Sequence, residues 1–457
     1  MSLPAGSIDD LQRLISSTPI GPNDDRFEPY CSDATEIMSA PDIVVFPLDV
    51  GEVSRIVIWA REHDVPVVAR GAGTGYSGGA IATHGGIVLS VEKLDKIIAI
   101  DKDNRTAIAE SGVITHNLDL AANEVGLFYP PDPASHKESL LGGNIAECAG
   151  GLRGAKYGVT KDYVIGIEYV DAEGEICTVG SLSDRRDEFD IMSLLIGSEG
   201  TLGIVTKAQF RLLPSPEMTV TFLFTFADET DAAQVVGEIR ARGVLPCVME
   251  FMDHGSIAAV AEQAAFHELK DSNALLLVEL DGDETEVAEN ASTVIEIAAG
   301  YRPLISREAK DHSERESLWE IRRGLSTAVK AVSRIKTSED VCVPVNRFVD
   351  IVSEIQRVGE SLKLKTAAFG HAADGNLHVC FLVDELTDEI KSRLESAKAQ
   401  LLRATIHMGG TISAEHGIGI TKKAFLEEEI GRDGIELLRA VKRSFDPENR
   451  LNPNKVF

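Results

Sequence analysis

A glycine loop with no helix behind it sets the first limit on this fold. Asp42 to Pro47 reads as a strand, and Asp49-Val-Gly-Glu52 opens a helix whose apolar residues recur at helical spacing. Val65 to Ala69 is a second strand, which completes a strand–helix–strand unit. Arg70-Gly71-Ala72-Gly73-Thr74-Gly75-Tyr76-Ser77-Gly78-Gly79 follows directly, and Gly73, Gly75 and Gly78 satisfy GxGxxG. Glu92 even stands near the place of a ribose-binding acid. That motif must open a helix, and the next residues, AIATHGG, contain none before the strand IVLSV. A simple NAD-type unit is therefore set aside. A loop of this kind can still hold phosphates, because successive backbone N–H groups form an anion nest. The bland alternative is a tight turn between strands.

The remainder of the first half is short strands, turns and small residues. A helix is expected over 8–20, capped by Ser7 or Asp9, and two strands over 97–114 meet at Asp103-Asn104. A helix THNLDLAANEVG leads to YPPDPAS, then to Leu140-Leu-Gly142-Gly143-Asn144 and Ala149-Gly150-Gly151, and on to Tyr157-Gly158. So many small residues let backbone approach a flat ligand closely. Residues 164–170 and 175–179 form a hairpin, LLIGSEGTLGIVTK is a turn entering a strand, and Pro214 and Pro216 mark a boundary. Beyond it, strands and helices alternate regularly, with helices over 229–242, 255–269, 283–299, 316–330, 346–361, 385–408 and 434–445. This predicts an α+β or α/β domain with its sheet covered on one side.

Composition narrows the function. The chain has 457 residues and a formal net charge of −28. Phosphates would be repelled, which argues against nucleic acid; the acidity maintains solubility and permits docking on a basic patch of a protein partner. No apolar run is long enough to span a membrane, and the N-terminus resembles neither a secretory nor a transit segment, so a cytoplasmic location is expected. The six cysteines form no CxxC, which argues against a Cys-ligated zinc or iron–sulfur cluster in this chain.

The polar chemistry gathers late. In FGHAADGNLHVC, His371 and His378 flank the turn residues Asp374, Gly375 and Asn376; a hairpin there would bring the two imidazoles together. A second knot reads Ser413-Ala-Glu415-His416-Gly417-Ile-Gly419. Two His and one Glu suffice for a catalytic divalent metal, with His416 left as a possible base. Each His taken alone is more commonly a satisfied structural residue.

In the order RGAGTGYSGG, LGGN…AGG…YG, IGSEGTLGIVT, GHAADGNLH, AEHGIG and LNPNKVF, these motifs resemble the vanillyl-alcohol oxidase / p-cresol methylhydroxylase flavoproteins. Within them the match is to the FAD-linked D-2-hydroxy-acid dehydrogenases: D-lactate dehydrogenase, the glycolate oxidase catalytic subunit and D-2-hydroxyglutarate dehydrogenase. The resemblance implies an α+β chain: a PCMH-type FAD-binding domain of two α/β subdomains over 1–214, and a substrate (cap) domain with an antiparallel sheet over 215–410. Residues 411–457 would return to the FAD domain. It further implies that Arg70, Gly71, Ala72, Gly73, Thr74, Gly75, Tyr76, Ser77 and Gly78 cradle the FAD pyrophosphate. Pro131, Ser135, Gly142, Gly143, Asn144, Gly150, Gly151 and Tyr157 would line the flavin and its ribityl chain. Glu199, Gly200, Ile204 and Val205 would meet the adenine side, and Asn454 would reach back to the flavin. With Thr74 or a neighbour where covalently flavinylated relatives often carry His, non-covalent FAD is implied. His371, His378 and Glu415 match metal ligands, His416 the proposed base, and Arg322 the arginine that clamps the substrate carboxylate, with Arg323 as the competing inward residue.

The sequence departs from that pattern. Ala373 replaces the commoner Gly. Cys380 stands where relatives acting on hydroxy-dicarboxylates tend to carry Asn, and Ser338 where they carry Lys, with Lys336 two residues earlier. These changes favour D-lactate or glycolate over D-2-hydroxyglutarate. The chemistry asks for a planar fork on the carboxylate, a Lewis acid on the hydroxyl, a base near neutral pKa and a flavin for the hydride. N,N,O ligation suits Zn²⁺, Mn²⁺ or Fe²⁺. Electrons would then pass to an electron-transfer flavoprotein, an iron–sulfur subunit or a quinone, and a homodimer is allowed. The other readings are a flavin oxidase using O₂ and a non-catalytic flavin relay subunit. The full His/His/Glu/His set with Arg322 speaks against the latter.

Overall fold

The computed structural model describes residues 3–4, 6–183, 189–261 and 264–457, without the side chains of 264–266. The chain divides into two compact units: one of residues 1–151, 158–215 and 415–457, the other of 152–157 and 216–414.

In the first unit, β1 (Ile43–Val45), β2 (Val67–Arg70) and β3 (Ile87–Ser90) make a parallel sheet with β3 in the centre. The expected strand–helix–strand unit is present, but the strand after the glycine loop inserts between its two strands. The helix Val50–Glu62 is started by Asp49, whose side chain accepts the Glu52 N–H. The first helix ends early, at Leu14, and its cap position is Gly6 rather than Ser7 or Asp9. Ser16 leaves the helix because its N–H donates to the buried Glu52 carboxylate. β4 (Ile97–Asp101), β5 (Thr106–Glu110), β7 (Val164–Val170), β8 (Ile176–Gly180) and β9 (Ile204–Arg211) form an antiparallel sheet in the order β4-β5-β9-β7-β8. β6 (Leu127–Phe128) pairs with β10 (Leu213–Pro214). The C-terminal segment is sewn to β2: Val67 N–H donates to Arg450 O and Asn452 N–H to Val67 O.

The second unit is built on seven strands: β11 (Met218–Phe226), β12 (Val248–Met252), β13 (Ala274–Gly282), β14 (Ile305–Glu308), β15 (Ile335–Cys342), β16 (Lys365–His371) and β17 (Asn376–Val383). Their order is β14-β11-β13-β12-β16-β17-β15, and every pair is antiparallel. The sheet is covered on both faces, not one. Phe251 meets Phe348 of the helix Phe348–Leu362 on one side, while Met252, Phe369 and Leu277 pack with Leu318, Trp319 and Leu325 of the helix His312–Ala331 on the other. The reason is visible in the strands: ALLLVEL is apolar at consecutive positions, which suits burial of both faces. Each fully buried Phe or Leu contributes about 1.5–3 kcal/mol.

Two helices differ from expectation. The one expected over 255–269 is His254–Ala261 followed by a 3₁₀ segment Ala264–Asp271, with 262–263 outside the described residues. The last helix begins at Lys423, far before 434, and kinks at Gly431. No described helix is long and apolar enough to cross a membrane.

Candidate functional site

In the first unit the glycine loop leaves β2 and runs past the helix Leu141–Glu147, with Gly71 beside Gly143. A Cβ on Gly143 would enter open space, whereas one on Gly142 would strike Ser111. Among the described residues, no protein acceptor takes the N–H groups of 72–75. Four successive unclaimed amides beside an open glycine surface are what a pyrophosphate and a flat ring require. Arg70 supports this loop from within: it is buried, its two terminal nitrogens donate to Ala80 O and Pro29 O, and it lies over the Tyr30 ring. Gly151 lies against Asp132, so the segment holding Pro131 and Ser135 meets Gly150–Gly151. Asn144 is buried and donates to Thr115 Oγ1.

Other residues of the first unit are held elsewhere. The Glu199 carboxylate is buried and accepts the N–H groups of Ile418 and Gly419, so it fastens the segment after His416 rather than standing open to a nucleotide. Burial raises its pKa to about 7, against those two amides and the Lys455 charge. Ile204 and Val205 are buried in β9, next to Gly200 in the turn before it. Asn454 is exposed and accepts Lys423 Nζ. The buried asparagine is Asn452, whose amide donates to Gly79 O and Glu199 O; the sequence reading missed it because LNPN offers two. Ser77 donates to Glu147 Oε1, while Glu147 Oε2 is shut from solvent without a hydrogen bond. Tyr76 stacks on His416, with ring centroids 4.9 Å apart. Gly150 approaches the Glu415 carboxylate. Thr74 and Gly75 stay in the loop, and Glu92 accepts the Tyr30 hydroxyl.

In the second unit one sheet face carries a run of polar side chains. Register pairs Glu250 of β12 with His371 of β16, Phe369 with His378 of β17, and Asp340 of β15 with His378. Strand periodicity puts them all on the same side. His371 Nδ1 lies 2.5 Å from Glu250 Oε1, and His378 Nδ1 3.7 Å from Asp340 Oδ1. The two imidazoles stand 5.5 Å apart at 89°. A hydrogen-bonded carboxylate behind the ring, as Glu250 is to His371, is the usual outer partner of a metal-binding histidine, so the donor chemistry fits a divalent ion. The Asp340 carboxylate also accepts Asn376 Nδ2 and the Ala414 N–H. One peptide bond then carries the chain from Ala414 to Glu415.

The helix His312–Ala331 crosses this face. Arg315 and Trp319 Nε1 donate to the buried Glu279 of β13, which Thr221 also reaches. Arg322, two turns on from Arg315, is buried; its Nε donates to Glu250 and its guanidinium lies over Phe369. Arg323 is outside, paired with Glu316. Burial would raise the Glu250 pKa, but Arg322 and His371 outweigh it and hold the carboxylate at about 2. Among the described residues nothing takes the two terminal nitrogens of Arg322. Ser338 and Cys380 are paired one step from Asp340 and His378, on the same face. Tyr157, in the 152–157 segment, donates to Asp281, which Lys156 also holds.

Glu250, Glu279 and Asp340 were missed as site partners. For Glu250 and Glu279 the signal was present: an acid inside an apolar strand, as in VMEFM and LLLVEL, must be paired when buried; Asp340 stands in the polar run KTSED and carries no such mark.

Comparisons with known proteins agree with this picture. Residues 215–456 match the C-terminal domain of FAD linked oxidases, and 41–180 an FAD binding domain. The glycolate oxidase subunit GlcD of Bacillus subtilis is 40% identical over 433 residues, covering 94% of this chain and 92% of that protein. A D-lactate dehydrogenase of Archaeoglobus fulgidus is 35% identical, covering 98% of each. The crystal structure of p-cresol methylhydroxylase with substrate bound shares the fold, with a TM-score of 0.80 at 18% identity over 99% of this chain and 97% of that one.

Proposed function

The chain belongs to the family of FAD-linked oxidases, as an FAD-dependent dehydrogenase of D-2-hydroxy acids, and from that premise we propose that its substrate is a small one, D-lactate or glycolate. FAD is assigned to 1–214 with the returning segment 411–457, and the substrate to 215–410. The observation that carries the reading is Arg322: a buried guanidinium with both terminal nitrogens unclaimed, beside His371. Such a fork pairs a carboxylate bidentately. The neutral pair Ser338–Cys380 on the same face supports a short substrate tail. Lys336, one step further along that face, favours D-2-hydroxyglutarate as the second reading.

Bound FAD would supply the hydride acceptor, and a divalent ion (Zn²⁺, Mn²⁺ or Fe²⁺) a Lewis acid for the hydroxyl. His371, His378 and Glu415 would hold that ion. His416 takes the hydroxyl proton, its ring kept in place by Tyr76. The loop amides of 72–75 bind the pyrophosphate, and Arg322 fixes the substrate carboxylate. Reoxidation is assigned to a partner flavoprotein, an iron–sulfur subunit or a quinone.

The test is an anaerobic visible spectrum of the FAD-loaded chain with each acid. D-Lactate or glycolate should bleach the flavin; bleaching by dithionite but by no hydroxy acid would defeat the reading. His416→Ala should keep FAD and metal while flavin reduction slows by about 10²–10⁴-fold. Reduction at the wild-type rate would remove His416 as the base.

A further inference from the structure

Glu250 has no task in the reading above, yet it touches two of its residues. Its Oε1 lies 2.5 Å from His371 Nδ1, and its Oε2 accepts Arg322 Nε. It is fully buried in β12 and laddered on both sides, in register with Leu277 of β13 and His371 of β16. A carboxylate so placed cannot swing away.

Each contact fixes an orientation. With its Nδ1–H donated to Glu250, the His371 ring keeps its Nε2 lone pair on the opposite side, where a cation would bind. With Nε–H donated to the other oxygen, the Arg322 fork is held in place, while its terminal nitrogens make no hydrogen bond to Glu250. The Phe369 ring, 5.1 Å from the guanidinium carbon, packs against the fork as well. Glu279 makes a useful control. It binds the same helix through Arg315 and Trp319 but touches neither Arg322 nor His371. It anchors the helix, whereas Glu250 touches both Arg322 and His371.

We infer that Glu250 is a positioning residue: one carboxylate that aims the carboxylate-binding Arg322 and the metal-binding His371 at the same substrate. The inference rests on the proposed function. It gives the two groups a shared orientation that a neutral or shorter side chain cannot supply. Gln can accept from one partner only and turns its NH₂ towards the other. Asp keeps the charge but is one methylene too short to reach both.

The experiment uses the FAD-loaded full chain. Mn²⁺ binding is measured alone by equilibrium dialysis, and the D-lactate concentration for half-maximal flavin reduction is measured anaerobically. Glu250→Gln should weaken Mn²⁺ binding by about 10–100-fold and raise the half-saturating D-lactate, with flavin content unchanged. Glu250→Asp should act in the same direction, and it serves if the Gln chain does not fold. The D-lactate effect should vanish in an Arg322→Met background, whereas a merely structural role would add to it. Wild-type Mn²⁺ affinity and D-lactate response in a folded Glu250 variant, or full additivity, overturns the inference. A wild-type chain that binds no Mn²⁺ and is reduced by none of the hydroxy acids overturns the functional reading and the inference together.

Discussion

Two buried glutamates, one in each unit, are treated in opposite ways. Glu199 accepts two backbone N–H groups and is pushed up to about 7; Glu250 faces an arginine and an imidazole and is held at about 2. Burial penalises both charges. For Glu199, two amides and the Lys455 charge do not repay that penalty; for Glu250, a guanidinium and an imidazole in direct contact do. At neutral pH Glu199 is therefore partly protonated, while Glu250 stays ionised.

Of the two glutamates, Glu250 carries the larger share of stability. Glu250→Ala leaves the Arg322 charge buried without its partner, and should cost about 3–5 kcal/mol, read as a lower urea midpoint with unchanged slope. A loss below about 1 kcal/mol would mean that solvent reaches Arg322. Gly417 is the next test. Its φ is 87°, and a Cβ there would sit 2.2 Å from Glu147 Oε2 and 3.1 Å from Glu199 Oε1. Gly417→Ala should cost about 1–3 kcal/mol and loosen FAD; a melting temperature equal to wild type would show that the two carboxylates can part.

The smallest effect is a slope. Burial first, and the Glu199 charge second, hold Glu147 well above the ordinary carboxyl value of 4.5. The folded chain thus binds this proton more tightly than the unfolded chain, so stability falls as pH rises above about 4.5. Glu147→Gln should narrow the gap between urea midpoints at pH 5 and pH 8. Identical gaps in the two proteins would place the proton elsewhere.

Much of the fold was legible from local pattern. The strand–helix–strand start, the 164–180 hairpin and the alternation after Pro216 each follow from periodicity and turn residues within a short window. The burial of both faces of the seven-stranded sheet was misread, although ALLLVEL is apolar at consecutive positions. The final helix was expected only from 434, past the kink at Gly431, whereas it begins at Lys423. Arg322 and Arg323 are neighbours in sequence and look alike; only the helix face turned to the sheet buries one and exposes the other.

By itself the sequence determined the local elements: a glycine loop without a following helix, a histidine-flanked turn, a helix bearing arginine, and an acid inside the apolar strands VMEFM and LLLVEL. These depend on residues a few positions apart, and backbone sterics act at that range. Tertiary structure alone decided the partners. Glu250 meets His371 through strand register and Arg322 through the helix laid across the sheet; Glu199 meets Ile418 and Gly419 through the returning C-terminal segment. A buried charge must find its counterpart wherever the fold brings one, and nothing in the spacing along the chain records where that will be.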